Sequence, residues 1–458
     1  MKLISTTLSE IANNFNAKLT INFENYQKVL LNGDLYSFEK EFFNEVTGLY
    51  NDLVEAILEN VSTGNEMKAK LTQYGQKRGL GGLKLRGTKL QLYTGKTITV
   101  NGYYATKQAK RSYEGTRHLI QPYWGCEKHS SPRYYSLVSM LSVVCPSFDV
   151  SNEILGQLNI ECNFNRTRDL AIHIGNKCIK DRIGNCLKLG ETLEGKRVTI
   201  SVDGGRSRTR EKTGQYNKGS NYSKYKTPWR EPKLFVIHTI DSEGKMEKTV
   251  LPIYDCVLGN CESCFKLLGE YLKKLKIERA KEVQFIADGA TWIWNRVLPM
   301  LSKLGVKKHA ITETVDYYHA VEHLGKIVGA LPSNIQKLQG ANIFKKLKGH
   351  LWNGEIDNII TLVKSNCKKI GKKVLTELAY FVKNKKRMVY SKFRSDNLLC
   401  GSGIVESAIR RIINLRFKCP SSFWDENNLE GLIYLRAILL SKRWNIMIYN
   451  LNNNGYKY

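Results

Sequence analysis

The chain is short of acid and shorter still of proline. It has 42 Asp and Glu against 71 Lys and Arg, and only 9 Pro in 458 residues. No run of about 18 apolar residues occurs, which excludes a hydrophobic membrane-spanning helix. Met1 to Asn14 do not read as a secretion signal: they hold one Lys, then Ser, Thr and Glu10 where an apolar core is expected. The 11 Cys are odd in number and scattered, so they form no disulfide framework and fit the reduced thiols of a cytosol. Cys256, Cys261 and Cys264 lie close together, but no second ligand pair follows at zinc-module spacing. Core thiols are the expectation there.

What is present is positive charge. A net charge of +29 concentrates polyanions, and nucleic acid is the commonest polyanion in a cell. With 42% hydrophobic residues the chain can also bury real cores, and its length predicts several domains.

The pattern shifts repeatedly along the sequence. Residues 1–65 read as amphipathic helix, with Phe38, Phe42, Val46, Tyr50, Val54 and Leu58 at spacings of four. Residues 66–125 form a basic region: Lys68 to Arg117 contains 12 Lys or Arg and one acid, Glu114. Leu90, Leu92, Ile98 and Val100 predict a hairpin about Gly95. Its lysines and arginines, among them Lys84 and Arg86, with Tyr93, Tyr103, Tyr104 and Tyr113, suit a DNA backbone or else a solvated loop. Residues 126–195 predict three helices. The first is capped by Ser130 or Ser131, the second spans 150–158, and the third begins near Arg166. A short turn before the third gives a helix-turn-helix-like order, with Arg166 and Arg168 at the start of a recognition helix. The same order also suits three packed helices that touch no DNA.

From residue 196 to 315 the texture becomes alternating strand and helix. Strands are predicted at 198–202, 234–240, 249–254, 283–287 and 308–312, with helices at 262–276 and 291–303. Three strands, helix, strand, helix, strand is the order of an RNase H-like α/β core with a mixed five-stranded sheet. Its last helix is delayed. Residues 316–398 are helical and basic, broken at Pro332 and at Asn353–Gly354, and only 399–447 resume the core. The tail, 448–458, is rich in Asn and Tyr. Between Arg206 and Lys233 lies an aperiodic segment of 9 basic residues, led by Arg206, Arg208 and Arg210. It reads as a loop that grips DNA or touches nothing.

Three acids are conspicuous by position. Asp203 ends the first strand, Asp288 ends the fourth, and Glu406 lies early in the final helix. In such a sheet the first and fourth strands are neighbours, so their ends bring the aspartates together. Carboxylates in one place repel unless cations neutralise them, and hard oxygen ligands suit Mg2+ or Mn2+. Two ions would clamp the attacking and leaving oxygens of a phosphoryl transfer. Taken singly, each acid is also an ordinary turn or helix-surface residue.

The segments Ser201–Gly205, Ala287–Trp294, Asp316–His319 and Ser402–Ser407 resemble the motifs of insertion-sequence DDE transposases. The groups with an all-helical insertion before the last acid, related to the Mutator-like superfamily, are the most similar. Trp424 through Glu430–Gly431 to Ala437 resembles their C-terminal motif. The likeness covers residues 195–440 well, 85–190 loosely, and the first 80 barely. It implies that Asp203, Asp288 and Glu406 bind two metal ions, with Asp316 and His319 in support. His319 would orient a phosphate or a triad member, or simply cap a helix. Trp424 would stack on an unpaired base or pack in the core. The implied activity is cleavage and strand transfer of double-stranded DNA, at transposon ends and target, by a homodimer or larger homo-oligomer in a bacterial cytoplasm, on the nucleoid. A DNA-binding regulator with dead chemistry, or another RNase H-like nuclease, are the rival expectations.

Overall fold

The computed structural model describes residues 2–108, 117–216, 223–366, 371–420 and 422–453. It is a mixed α/β protein that divides into two compact units. One comprises Met1–Cys178 with Asn445–Tyr458, the other Ile179–Trp444. The division falls inside the 126–195 segment that the sequence suggests as one helical domain.

In the first unit, α1 (Lys2–Leu31) and α2 (Leu35–Thr63) form a helical hairpin turned at Gly33, where φ is +78°. Asp34 caps α2 by accepting from the Ser37 amide at 3.0 Å. Tyr26 is buried edge-on against Phe38 and Phe42. Helix α3 (Asn65–Gln76) leads into an antiparallel pair, β1 (Leu80–Gln91) and β2 (Thr97–Gln108). Leu90, Leu92, Ile98 and Val100 are buried with Cys126, as their alternation predicts, but the ladder runs on to Leu80↔Gln108. Tyr113 and its neighbours in the basic stretch lie outside the described residues. After a single turn, α4 (Ile120–Tyr123), three helices follow: α5 (Pro132–Val144), α6 (Phe148–Gln157) and α7 (Phe164–Cys178). Ser131 and Ser147 cap the first two, and all three pack together.

The second unit opens with α8 (Arg182–Cys186) and holds the five-stranded sheet. Its strands are β3 (Arg197–Gly204), β8 (Lys233–Ile240), β9 (Ile253–Val257), β10 (Glu282–Ala287) and β11 (Ile311–Val315). They lie in the order β11-β10-β3-β8-β9. The central β3 runs antiparallel to β8 and parallel to β10, while β9 and β11 form the edges. Helices α9 (Cys261–Lys274) and α10 (Thr291–Lys303) stand close to the ranges their periodicity predicts. Two strands do not. The third starts at Ile253, just after Pro252, which has no N–H to give a ladder. The fifth is preceded by a 3-10 turn at Lys308–Ala310, so only Ile311 onward pairs.

The segment after β3 is not an aperiodic loop. It folds into short antiparallel ladders, β4 (Ser207–Arg208) with β7 (Trp229–Arg230) and β5 (Glu211–Tyr216) with β6 (Ser223–Lys226). The insertion is helical throughout its described residues: α11 (Tyr317–Gly329), α12 (Ser333–Asn353), α13 (Ile356–Ser365), α14 (Lys372–Asn384) and α15 (Tyr390–Ser395). Two of its breaks fall at Pro332 and at Gly354, whose φ of +76° suits a helix C-terminus. Then come α16 (Gly403–Ile409), a π-helical turn (Arg410–Asn414), α17 (Leu415–Phe417), α18 (Glu426–Leu440) and α19 (Trp444–Asn453). Cys256 and Cys264 are fully buried core thiols. Among the described residues no helix is long and apolar enough to cross a membrane.

Candidate active site

Parallel pairing of β3 with β10 sets Ile286 opposite Ser201, so two residues further along each strand Asp288 comes level with Asp203. Each aspartate is fixed by its own turn. Asp203 Oδ1 accepts from the Gly204 amide at 2.6 Å, and Asp288 Oδ1 accepts from the Ala290 amide at 2.9 Å. The indole of buried Trp294 donates to the Asp288 carbonyl at 2.8 Å, which ties α10 to the end of β10.

Glu406 comes from α16, which packs against β3 and β8. One turn later the helix widens into its π segment, and the Arg411 carbonyl accepts from Arg436 Nε at 2.7 Å. There Ile413 lies so close to Gly205 that a Cβ at that glycine would stand 2.5 Å from its Cδ1. The close approach pins the end of β3 to the helix that bears Glu406.

Asp203 feels the charge of both other acids. Burial pushes the Asp203 carboxyl up to about 6; the Gly204 hydrogen bond opposes this, and the charges of Asp288 and Glu406 add to it. Glu406 is raised by burial first and then by Asp316 and Glu322, with His319 opposing. Among the described residues no three Asp, Glu, His or Cys side chains gather tightly enough to hold a metal ion. The chemistry of the donors nevertheless fits a hard divalent cation. All three offer carboxylate oxygens, Asp203 is short of compensating charge, and Glu406 is exposed and has room to change rotamer.

Asp316 takes another part. It is buried and caps α11, with Oδ1 accepting from the His319 amide at 2.7 Å. Its Oδ2 accepts from both the amide and, at 2.9 Å, the hydroxyl of Ser402. With the Tyr317 amide donating to the Cys400 carbonyl at 2.9 Å, these bonds tie the start of the insertion to the start of α16. The carboxylate acts through Ser402 on the placing of Glu406. His319 sits in the first turn of α11, half open to solvent, with its ring 5.2 Å from that of His323.

The basic residues fall into different settings. Arg206, Arg208 and Arg210 are exposed in alternation with buried Gly205, Ser207 and Thr209, so an extended backbone turns all three to one side. Arg208 lies over Trp229 and Arg210 over Tyr225, at 4.6 and 5.0 Å. Trp424 joins this ribbon through its backbone, accepting from the Arg210 amide and donating to the Arg208 carbonyl. Its ring packs against Phe417 and the guanidinium of Arg416, so packing accounts for it. In the first unit Lys84 and Arg86 are exposed on β1, Arg86 over Tyr104 at 4.4 Å. Arg168 pairs with Asp169. Arg166 is occupied: it donates to Gln91 Oε1 at 3.2 Å, to Ser130 Oγ at 2.6 Å and to the Lys128 carbonyl. As placed here, it braces α7 against the hairpin.

Tyr380 of α14, which reaches Gly289, escaped the sequence reading. The contact spans some 90 residues, and no motif announces it. No family model, curated protein or solved structure matches the chain.

Proposed function

We propose that the protein is a DDE-type DNA transposase, which binds transposon ends, cuts DNA and joins the cut ends to a target. The observation that carries this reading is the pairing of β3 with β10, which levels Asp203 with Asp288 while α16 packs Glu406's helix against β3. The sheet supports an RNase H-like core: the central first strand is joined on one side to an antiparallel meander through β8 and β9, and on the other to β10 and β11, which run parallel to it. Helices α11–α15 are then the insertion that interrupts it.

Asp203, Asp288 and Glu406 would hold Mg2+ or Mn2+, as two ions. When bound, such ions supply an activated attacking oxygen and a neutralised leaving oxygen. The residues of the chain do the rest. Gly204 and Ala290 amides hold the two aspartates at the sheet end, and Asp316 anchors the turn that leads to Glu406. Arg206, Arg208 and Arg210 offer guanidinium groups to successive phosphates of a duplex beside that end. In cleavage a water oxygen bonds to phosphorus, the bond to the 3′-oxygen breaks, and that oxygen leaves as a hydroxyl. In transfer the 3′-hydroxyl of the cut end attacks a target phosphodiester and releases a target 3′-hydroxyl. The partners are double-stranded end and target DNA, held by a homodimer or larger assembly.

The test is to incubate the protein with labelled duplexes taken from the DNA on either side of its gene, a target plasmid and Mg2+. Metal-dependent nicks with 3′-hydroxyl ends and joined end–target molecules are expected. Cleavage without joining would favour a nuclease. Binding without either would favour a regulator.

A further inference from the structure

The insertion sends one side chain into the acidic end of the sheet. Tyr380, on α14, lies so close to Gly289 that a Cβ there would stand 2.1 Å from its ring and 2.7 Å from its hydroxyl oxygen. Gly289 is the residue after Asp288. The other side of the phenol is held as firmly: its ring stacks on His323 with centroids 3.7 Å apart and planes 15° from parallel. His323 Nδ1 is in turn hydrogen-bonded to Glu377, three residues before Tyr380 on the same helix. Phe381 meets the ring edge-on at 5.4 Å. The phenol is therefore clamped from α11 and α14 at once.

Its hydroxyl is the unexplained part. The oxygen is shut off from bulk solvent and has no hydrogen-bond partner among the described residues. Buried polar groups are almost always satisfied. A phenol keeps its proton at neutral pH, so the hydroxyl is a donor, and the carboxylates of Asp288 and Asp316 lie near enough to act on it. A buried donor of this kind is ordinarily met by an ordered water.

We infer that Tyr380 is a positioning residue for Asp288: its clamped ring fixes the Asp288–Gly289 turn, and its hydroxyl donates to a water shared with the Asp288 carboxylate. This rests on the reading of Asp203, Asp288 and Glu406 as a cation site. The insertion is thereby part of the site's wall as well as a basic helical appendage. Glycine at 289 is explained too, since any side chain would drive the phenol out.

The test is Mn2+ binding to the full chain, followed by electron paramagnetic resonance without DNA, with thermal melting alongside. Tyr380→Phe, which removes one oxygen, should weaken Mn2+ binding about tenfold while the melting temperature holds. Gly289→Ala should weaken it at least as much. Wild-type affinity in a stably folded Tyr380→Phe would overturn the inference. Should that variant melt early, Glu377→Gln decides instead: it loosens His323 but keeps the phenol, and unchanged Mn2+ affinity would overturn the clamp. A wild-type protein that binds no Mn2+, or a D203N variant that binds it equally well, would overturn the cation site itself.

Discussion

Two arginine-bearing regions use the same side chain in opposite ways. In the ribbon after β3, Arg206, Arg208 and Arg210 stand exposed on one side of an extended backbone. At the start of α7, Arg166 spends its guanidinium on Gln91, Lys128 and Ser130. A helix in a helix-turn-helix-like order looks the stronger DNA reader in sequence, and a run of basic residues between strands looks like slack. In the fold the ribbon arginines are the exposed ones, and Arg166 is the one already committed to three hydrogen bonds. Charge in a sequence fixes the sign of a surface; which charges stay open is decided by the neighbours each finds.

The comparison is sharpened most by removing chemistry from grip. Asp203→Asn, Asp288→Asn and Glu406→Gln should each drop cleavage and joining to background in a gel assay, while filter binding of DNA holds. Each change keeps shape and removes a charged ligand. A variant that still cuts with Mg2+ takes its residue out of the site. The next effect is on the ribbon. Replacing Arg206, Arg208 and Arg210 together by Ala should lower affinity for end and random duplexes alike. The slope of log affinity against log salt should shrink by about 2–3, as the loss of three phosphate contacts requires. An unchanged slope would move the grip elsewhere.

Arg166→Ala is the converse. It leaves the Ser130 hydroxyl and Gln91 without their cation, so the first unit should lose about 1–3 kcal/mol in denaturant unfolding. The ratio of end to random DNA affinity should stay as it was. A flattened ratio at full stability would restore Arg166 as a base reader and break the comparison. The smallest effect concerns Glu127, which is bonded to His173 and Lys177 in the same unit. Burial raises its carboxyl, but these partners outweigh burial and hold it below the ordinary range. A folded pKa below the unfolded value of about 4.3 gives stability above that value, lost as pH falls through the folded one. Melting of Glu127→Gln and the wild type should therefore converge below about pH 4. A gap that persists in acid would mean that packing, not charge, is what Glu127 supplies.

Much of the second unit was legible because its strands are apolar runs with clear ends. Every residue of β8 is buried, and β3 and β10 each end within one residue of their aspartates. Edges were less so: Pro252 delays β9, and a 3-10 turn delays β11. The ribbon was missed because its alternation is carried by Gly205, Ser207 and Thr209, small polar residues buried by Phe417, Ile413 and the Trp424 segment rather than by hydrophobicity. Asp316 was legible as a motif residue but not as an anchor, since its partner Ser402 lies 86 positions away. The same holds for Tyr380 and Gly289.

The central claim, that Asp203, Asp288 and Glu406 form one cation site, can be tested without knowing the DNA ends. Fe2+ with ascorbate and peroxide cuts a polypeptide beside the place where the ion binds, and the fragments can be mapped by mass spectrometry. The account predicts cuts clustered near residues 203, 288 and 406, suppressed by excess Mg2+ and absent in D203N. Cuts scattered elsewhere, or a pattern indifferent to both Mg2+ and D203N, would contradict it.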